Sequence, residues 1–172
     1  MRLQYLHVIM SHRRNTMQKE VRFAIIKDID FIYDSLREDL DEQGVLHRFS
    51  YSKEDFKQAV FGKKPLGTFL ILLMDGKPSG FANYVIDHRN FTANKLSNLH
   101  LNDLFVKKSY RRMKGATLLI NELKKIAQQK NCGRIEFFIL AENLAAQAFY
   151  EKVLKSQLIS DKLHYMRFEL NP

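Results

Sequence analysis

The stretch Thr68–Met74, Thr-Phe-Leu-Ile-Leu-Leu-Met, constrains the fold of this chain most tightly. It reads as a strongly apolar strand. Asp75-Gly76-Lys77-Pro78 then forms a turn, and residues 79–87 return as the partner strand. A hairpin of this kind needs further elements around it to cover its side chains. The rest of the chain supplies them as an alternation of strands and helices.

Residues 20–26 are expected to form a short strand, with Val21, Phe23 and Ile25 alternating. Asp28 is placed to cap a helix whose apolar face is Ile29, Ile32, Tyr33, Leu36 and Leu40, ending at Gly44. Ser52 and Asp55 have the spacing of a capping box and open a second helix through Val60. Residues 89–95 read as a polar loop and 99–106 as a strand. The amphipathic helix 115–129 turns Leu118, Leu119, Leu123, Ile126 and Ala127 inward. Gly133 is read as a break before an apolar strand at 134–140. Asn143 starts a helix through Val153. Residues 157–159 and 164–170 read as a closing hairpin. No internal repeat, low-complexity tract or linker divides the chain, so the expected architecture is one α/β (α+β) domain.

At 172 residues the chain is long enough to bury a core without staples. The single cysteine, Cys132, excludes an internal disulfide and a zinc site of cysteines, which fits a reducing, cytoplasmic setting. No apolar run reaches the length of a membrane span. Residues 1–19 are read as a mobile extension and 20–172 as the domain. Ahead of Glu20 the charged residues are Arg2, Arg13, Arg14 and Lys19, all basic, a pattern shared with leader peptides. The apolar stretch there is short and interrupted by Gln4 and His7, with no small-residue cleavage site after it, and Met17 is an alternative start.

Two charge features stand apart. Lys107, Lys108, Arg111, Arg112, Lys114, Lys124, Lys125 and Lys130 face only Glu122 within their stretch, a net +7 of the chain's +9. This cluster surrounds the start of a helix, where free N–H groups and the helix dipole favour an anion. It suits a phosphate-rich ligand or a simple solvated face. Nucleic acid is the weaker candidate, because no stacking aromatics are interleaved with the bases. Between residues 28 and 42, seven acids accompany Arg37 alone.

Residues 101–150 resemble the GNAT superfamily of acyl-CoA-dependent N-acyltransferases. The residues that carry the resemblance are Leu104-Phe105-Val106, then Arg111 five positions after the valine, then Arg112-Met113-Lys114-Gly115-Ala116-Thr117 opening a helix. Downstream, Ala141-Glu142-Asn143 and Ala148-Phe149-Tyr150-Glu151-Lys152 are similar to the family's second signature. The order of elements outside these motifs fits from about residue 21 to 170. The resemblance implies a GNAT-like domain with a mixed, mostly antiparallel central sheet and helices on both faces. It also implies an N-acetyltransferase that uses acetyl-CoA and an amine acceptor, with no metal.

On that resemblance, the Arg111-to-Thr117 turn binds the pyrophosphate of acetyl-CoA through backbone N–H groups. Leu104, Phe105 and Val106 pair by backbone with the pantetheine arm, Asn143 holds its far side, and Tyr150 reaches the thioester sulfur. Lys114 stands where the family has its first glycine; its N–H contact survives if φ stays negative, and it could equally block CoA. Asn102 stands where polyamine acetyltransferases of the superfamily carry a glutamate. His100 is the candidate base, acting through a water held by Asn102; on a regular strand the two share a face. The bland alternatives are a half-buried structural histidine and, for Tyr150, a core aromatic. Asp103 is read as facing away.

The acidic stripe Asp30, Asp34, Glu38, Asp41 and Glu42, with Asp39 nearby, points to a cationic acceptor or else is the solvated side of its helix. A non-catalytic module of the same fold, binding acyl-CoA or a protein partner, is the competing reading. An exposed edge in the closing hairpin makes a homodimer plausible.

Overall fold

The computed structural model describes residues 17–87 and 95–156. The polar loop expected at 89–95, save its last residue, and the closing hairpin lie outside the described residues. The described chain runs β1 (Lys19–Phe23), α1 (Ile29–Glu42), α2 (Lys53–Phe61), β2 (Thr68–Met74), β3 (Lys77–Asp87), β4 (Ser97–Val106), α3 (Gly115–Gln129), β5 (Cys132–Phe137) and α4 (Leu144–Leu154). The strands form one sheet in the order β1-β2-β3-β4-β5, antiparallel except for β5, which lies parallel to β4 after the α3 crossover.

Two apolar layers hold the sheet. Leu72, Met74, Ala82, Leu101 and Val106 pack beneath Leu119, Ile120 and Leu123 of α3 and Tyr150 of α4. On the other face Ile71, Phe81 and Phe105 pack beneath Ile32 and Leu36 of α1 and Phe56 and Val60 of α2. The apolar run of β2 is explained by this sandwiching, since both faces of the strand are covered. Ser52 caps α2 as its spacing predicts, its hydroxyl accepting from the Asp55 N–H at 3.1 Å.

Several local expectations are corrected. Residues 26–28 form a 3-10 turn rather than the end of β1. Asp28 does not cap α1. Its buried carboxylate turns back to accept from both terminal nitrogens of Arg22, at 2.6 and 2.8 Å, and from the Ile25 N–H at 2.8 Å. The Arg22 hydrogen bonds hold its pKa below the ordinary value, against the effect of burial. Within α3 it is Ile120, not Leu118, that is fully buried. Asn131, at φ 54°, follows the end of α3, and Gly133 lies inside β5 instead of breaking the chain. β5 is half-exposed, at the edge of the described sheet, and ends at Phe137. The sheet also takes up residues just before the expected domain start: β1 begins at Lys19, Gln18 pairs with Asp75, and Met17 packs on the core.

Candidate active site

The feature that positions the site is a fault in β4. Asn83 pairs with Asp103, but the next residue, Tyr84, pairs with Leu101, so Asn102 is an extra residue, a β-bulge. Leu101 and Leu104, three apart, therefore both pack toward α3, while Phe105 packs toward α1. Beyond the bulge β4 also parts from β5, whose pairing stops at Leu101 and Phe137. Residues 102–106 thus present a backbone edge with no strand partner among the described residues. An extended ligand with alternating amide groups can add there as a strand would.

A cleft of about 630 Å³ opens at this fork. Asn102, Asp103 and Leu104 of β4 line it, together with Asp39, Glu42 and Gln43 from the end of α1. Glu142, Asn143 and Tyr150 face them from the far wall. Four carboxylates therefore border one cavity. Asp103 is oriented by Asn83, whose side-chain N–H donates to it at 2.9 Å. Burial pushes the Asp103 carboxyl up, and the Asn83 hydrogen bond opposes this. Asp39 is pushed up to about 6, first by burial and then by the charges of Asp103 and Glu42, against the pull of Gln43 and Arg111.

Tyr150 is 8% exposed, its ring packed 4.3 Å from that of Phe137. It is both core aromatic and cleft residue. Burial, followed by the nearby Asp39 and Asp103 charges, raises its phenol pKa well above the ordinary value. The hydroxyl therefore stays protonated at working pH and can donate. Asn143 caps α4, its side-chain oxygen accepting from the Ala146 N–H at 3.1 Å, and the residue also lines the cleft.

The structure does not bring His100 to the cleft. It sits where β4 still pairs with β5, opposite Glu136, and is 5% exposed, with its ring 5.2 Å from that of Phe138 and Nδ1 3.8 Å from Glu136. Asp103, expected to face away, lines the cleft in its place. The alternation rule fails here because a bulge, invisible in a sequence of ordinary residues, resets which side chains share a face. Asp39 was legible only as one more acid in a stripe. The stripe itself divides: Asp30 pairs with Lys53 at 3.0 Å away from the cleft, Asp34 is exposed, and Asp39 and Glu42 alone among these acids line the cavity.

At the other end of the free edge stands the turn into α3. The N–H groups of Gly115, Ala116 and Thr117 open this helix and have no partner within it. Arg112 and Lys114 are exposed beside them, both left-handed at φ 65°. The φ of Lys114 is thus positive, so the condition set for keeping its own N–H contact is not met, and Lys114 adopts a backbone that glycine takes without strain. Gly115 has a different task from the one its motif suggests. A Cβ there would sit 2.5 Å from Leu72 and 2.7 Å from Met74, so it lets the helix start close against β2. The basic cluster is no single patch: Lys107 lies over the Phe31 ring, Lys124 donates to Val153, and Arg111 and Lys108 pair with Glu42.

The free edge and the helix N-terminus suit a pantetheine arm and a phosphate, respectively, so the residues present fit acetyl-CoA. Among the described residues no group of three or more His, Cys, Asp or Glu is placed to hold a metal ion. None of their helices is long and apolar enough to cross a membrane.

Replacing Lys114 by glycine is expected to stabilise the fold by about 1 kcal/mol, by relieving the left-handed strain. The acetyl-CoA dissociation constant should change by less than about tenfold, because the backbone N–H groups remain. Thermal melting and calorimetric titration check both.

These features are those of an acetyltransferase fold, and the chain belongs to the GNAT acetyltransferase family: the model described as Acetyltransferase (GNAT) family matches residues 29–155. A thialysine N-epsilon-acetyltransferase from Bos taurus is 26% identical over 156 residues, covering 87% of this chain and 91% of that protein. Among solved structures, an integron cassette protein from the mobile metagenome of V. cholerae superposes with a TM-score of 0.71 at 24% identity, covering 90% of this chain and 94% of that one. An aminoglycoside N-acetyltransferase in complex with CoA superposes with a TM-score of 0.73 at 14% identity, over 90% and 97% of the two chains.

Proposed function

We propose that this protein transfers the acetyl group of acetyl-CoA directly to the terminal amine of a cationic, lysine-like acceptor, a small molecule or a protein lysine. The observation that carries the reading is the cleft itself. Asp39, Glu42, Asp103 and Glu142 border one cavity between the free edge of β4 and Tyr150. Carboxylates so placed concentrate a cation and bind its charges. The bovine relative, named for an amino acid with a terminal amine, agrees with this choice.

In this scheme residues 102–106 and the amides of Gly115, Ala116 and Thr117 hold the donor, and Arg112 and Lys114 add charge beside the phosphates. The Asp39–Asp103 pair receives the ammonium proton so that the nitrogen attacks as a neutral amine. A carboxyl near 6 is a better base than an ordinary aspartate. The nitrogen bonds to the thioester carbon, the C–S bond breaks, the Tyr150 hydroxyl delivers a proton to the departing sulfur, and the second proton of the amine nitrogen returns through solvent to the Tyr150 phenolate. His100 takes no part. Cys132, half-buried with a raised pKa, stands outside the cleft lining, so no acyl-enzyme is needed.

The pH dependence follows from Asp39. Its folded pKa is raised, so the folded state holds this proton more tightly than the unfolded chain. The associated stability is present below about pH 4 and is lost as pH rises through 6. The shift from 3.8 to about 6 corresponds to at most about 3 kcal/mol. Asp39→Asn is therefore expected to melt higher than the parent at pH 8 and little differently at pH 4. The same variant should lose most activity and the acidic limb of the rate profile near pH 6. A variant with an unchanged acidic limb would remove Asp39 from proton transfer.

A further inference from the structure

Arg111 ties the donor side of the site to the acceptor side. Its Nε donates to the carbonyl oxygen of Val106, the last residue of the free β4 edge, at 2.8 Å. One terminal nitrogen donates to both carboxylate oxygens of Glu42, at 2.9 and 2.7 Å. Lys108 adds a second cation 3.6 Å from the same carboxylate. Glu42 lines the acceptor cleft from the end of α1, yet in this arrangement its charge is already matched. Arg111 also stands four residues before the open N-terminus of α3, among Arg112 and Lys114. Its guanidinium lies over the Phe105 ring, and an anion held at that terminus can compete with Glu42 for it only by drawing the side chain from this position. The pair lies near the surface, where such bridges hold weakly and a multiply charged phosphate can win.

We propose that Glu42 is a specificity-determining residue whose carboxylate is masked by Arg111 until the donor binds. The pyrophosphate draws the guanidinium away, and the freed carboxylate then binds the acceptor's cationic group. Donor and acceptor therefore bind with positive coupling, which by linkage is the same in either order. This rests on the acetyl-transfer reading above.

The test is calorimetric titration of thialysine and of diaminopentane into the full chain, with and without saturating CoA, which supports no transfer. The expected result is an acceptor affinity raised about fivefold or more by CoA. Glu42→Gln should abolish the difference and bind CoA as tightly as the parent or tighter, since the competitor for Arg111 is gone. Arg111→Gln should act with the opposite sign, raising acceptor affinity in the absence of CoA toward the coupled value. Melting curves establish that each variant is folded, and the two variants test the same claim independently. Equal acceptor affinity with and without CoA in the parent overturns the proposal while leaving acetyl transfer standing. Coupling that persists in Glu42→Gln removes Glu42 from it. Failure of CoA or of both amines to bind overturns the functional reading and this inference together.

Discussion

Tyr150→Phe is expected to lower kcat by about 100-fold or more while leaving acetyl-CoA affinity and melting temperature close to those of the parent. The ring carries the packing: it is buried against Phe137 and Phe149, and phenylalanine keeps both contacts. The hydroxyl borders the cleft and makes no hydrogen bond to the other described residues, so its removal leaves no buried partner unsatisfied. In the proposed mechanism, what is lost is the proton for the departing sulfur. Steady-state kinetics with a melting curve separate the two roles. A variant that retains full kcat would make Tyr150 a core aromatic and nothing more.

The second large effect is on stability. Gly115→Val is expected to destabilise the fold by about 2–3 kcal/mol, lowering the melting temperature by roughly 5–10 °C. A Cβ at this buried position falls 2.5 Å from the Leu72 side chain and 2.7 Å from that of Met74. The far ends of those side chains can yield somewhat to one carbon, so Gly115→Ala should cost less. The two further methyls of valine meet a layer already filled by Leu119 and Ile120. Acetyl-CoA binding should weaken as a consequence, because the amides that open α3 move with the helix. Equal melting of parent and valine variant would show that this helix start is not packed as described.

The parts of the fold readable in the sequence were those set by local chemistry. The apolar run of β2, the period of α3 and the caps at Ser52 and Asn143 each signal their element within a few residues. The motif around Arg111 and Gly115 located the helix start. What escaped were features set by long-range geometry. Asn102 is ordinary in composition, yet the bulge there resets the alternation so that Asp103 lines the cleft, while His100 stays in the β4–β5 ladder opposite Glu136. Asp28 has the look of a helix cap, but Arg22, six residues earlier on β1, offers it two charged donors and wins. Gly115 matched a motif glycine, while its close neighbours lie more than forty residues away on β2. The conformational freedom a glycine would supply is needed instead at Lys114, where the sequence has none.

The acidic stripe of α1 shows the same division. Helical spacing places Asp30, Asp34 and Glu38 along one side, but only tertiary contact decides which acids face a ligand. The last turn of α1 meets the fork between β4 and β5, so Asp39 and Glu42 reach the cleft and Asp30 does not.

The most direct test of the account is acetyl transfer itself. The protein is incubated with acetyl-CoA and a panel of thialysine, diamines, basic peptides and neutral arylalkylamines. Thiol release and the mass of each acceptor are followed together. The expected result is release of CoA matched by acetylation at the terminal amine of the cationic acceptors. Salt is also expected to raise KM for these acceptors and to leave neutral ones unaffected. A CoA-dependent rise in melting temperature with no acetylated product from any amine would contradict the proposed function, and would make the chain a binding module built on an acetyltransferase fold.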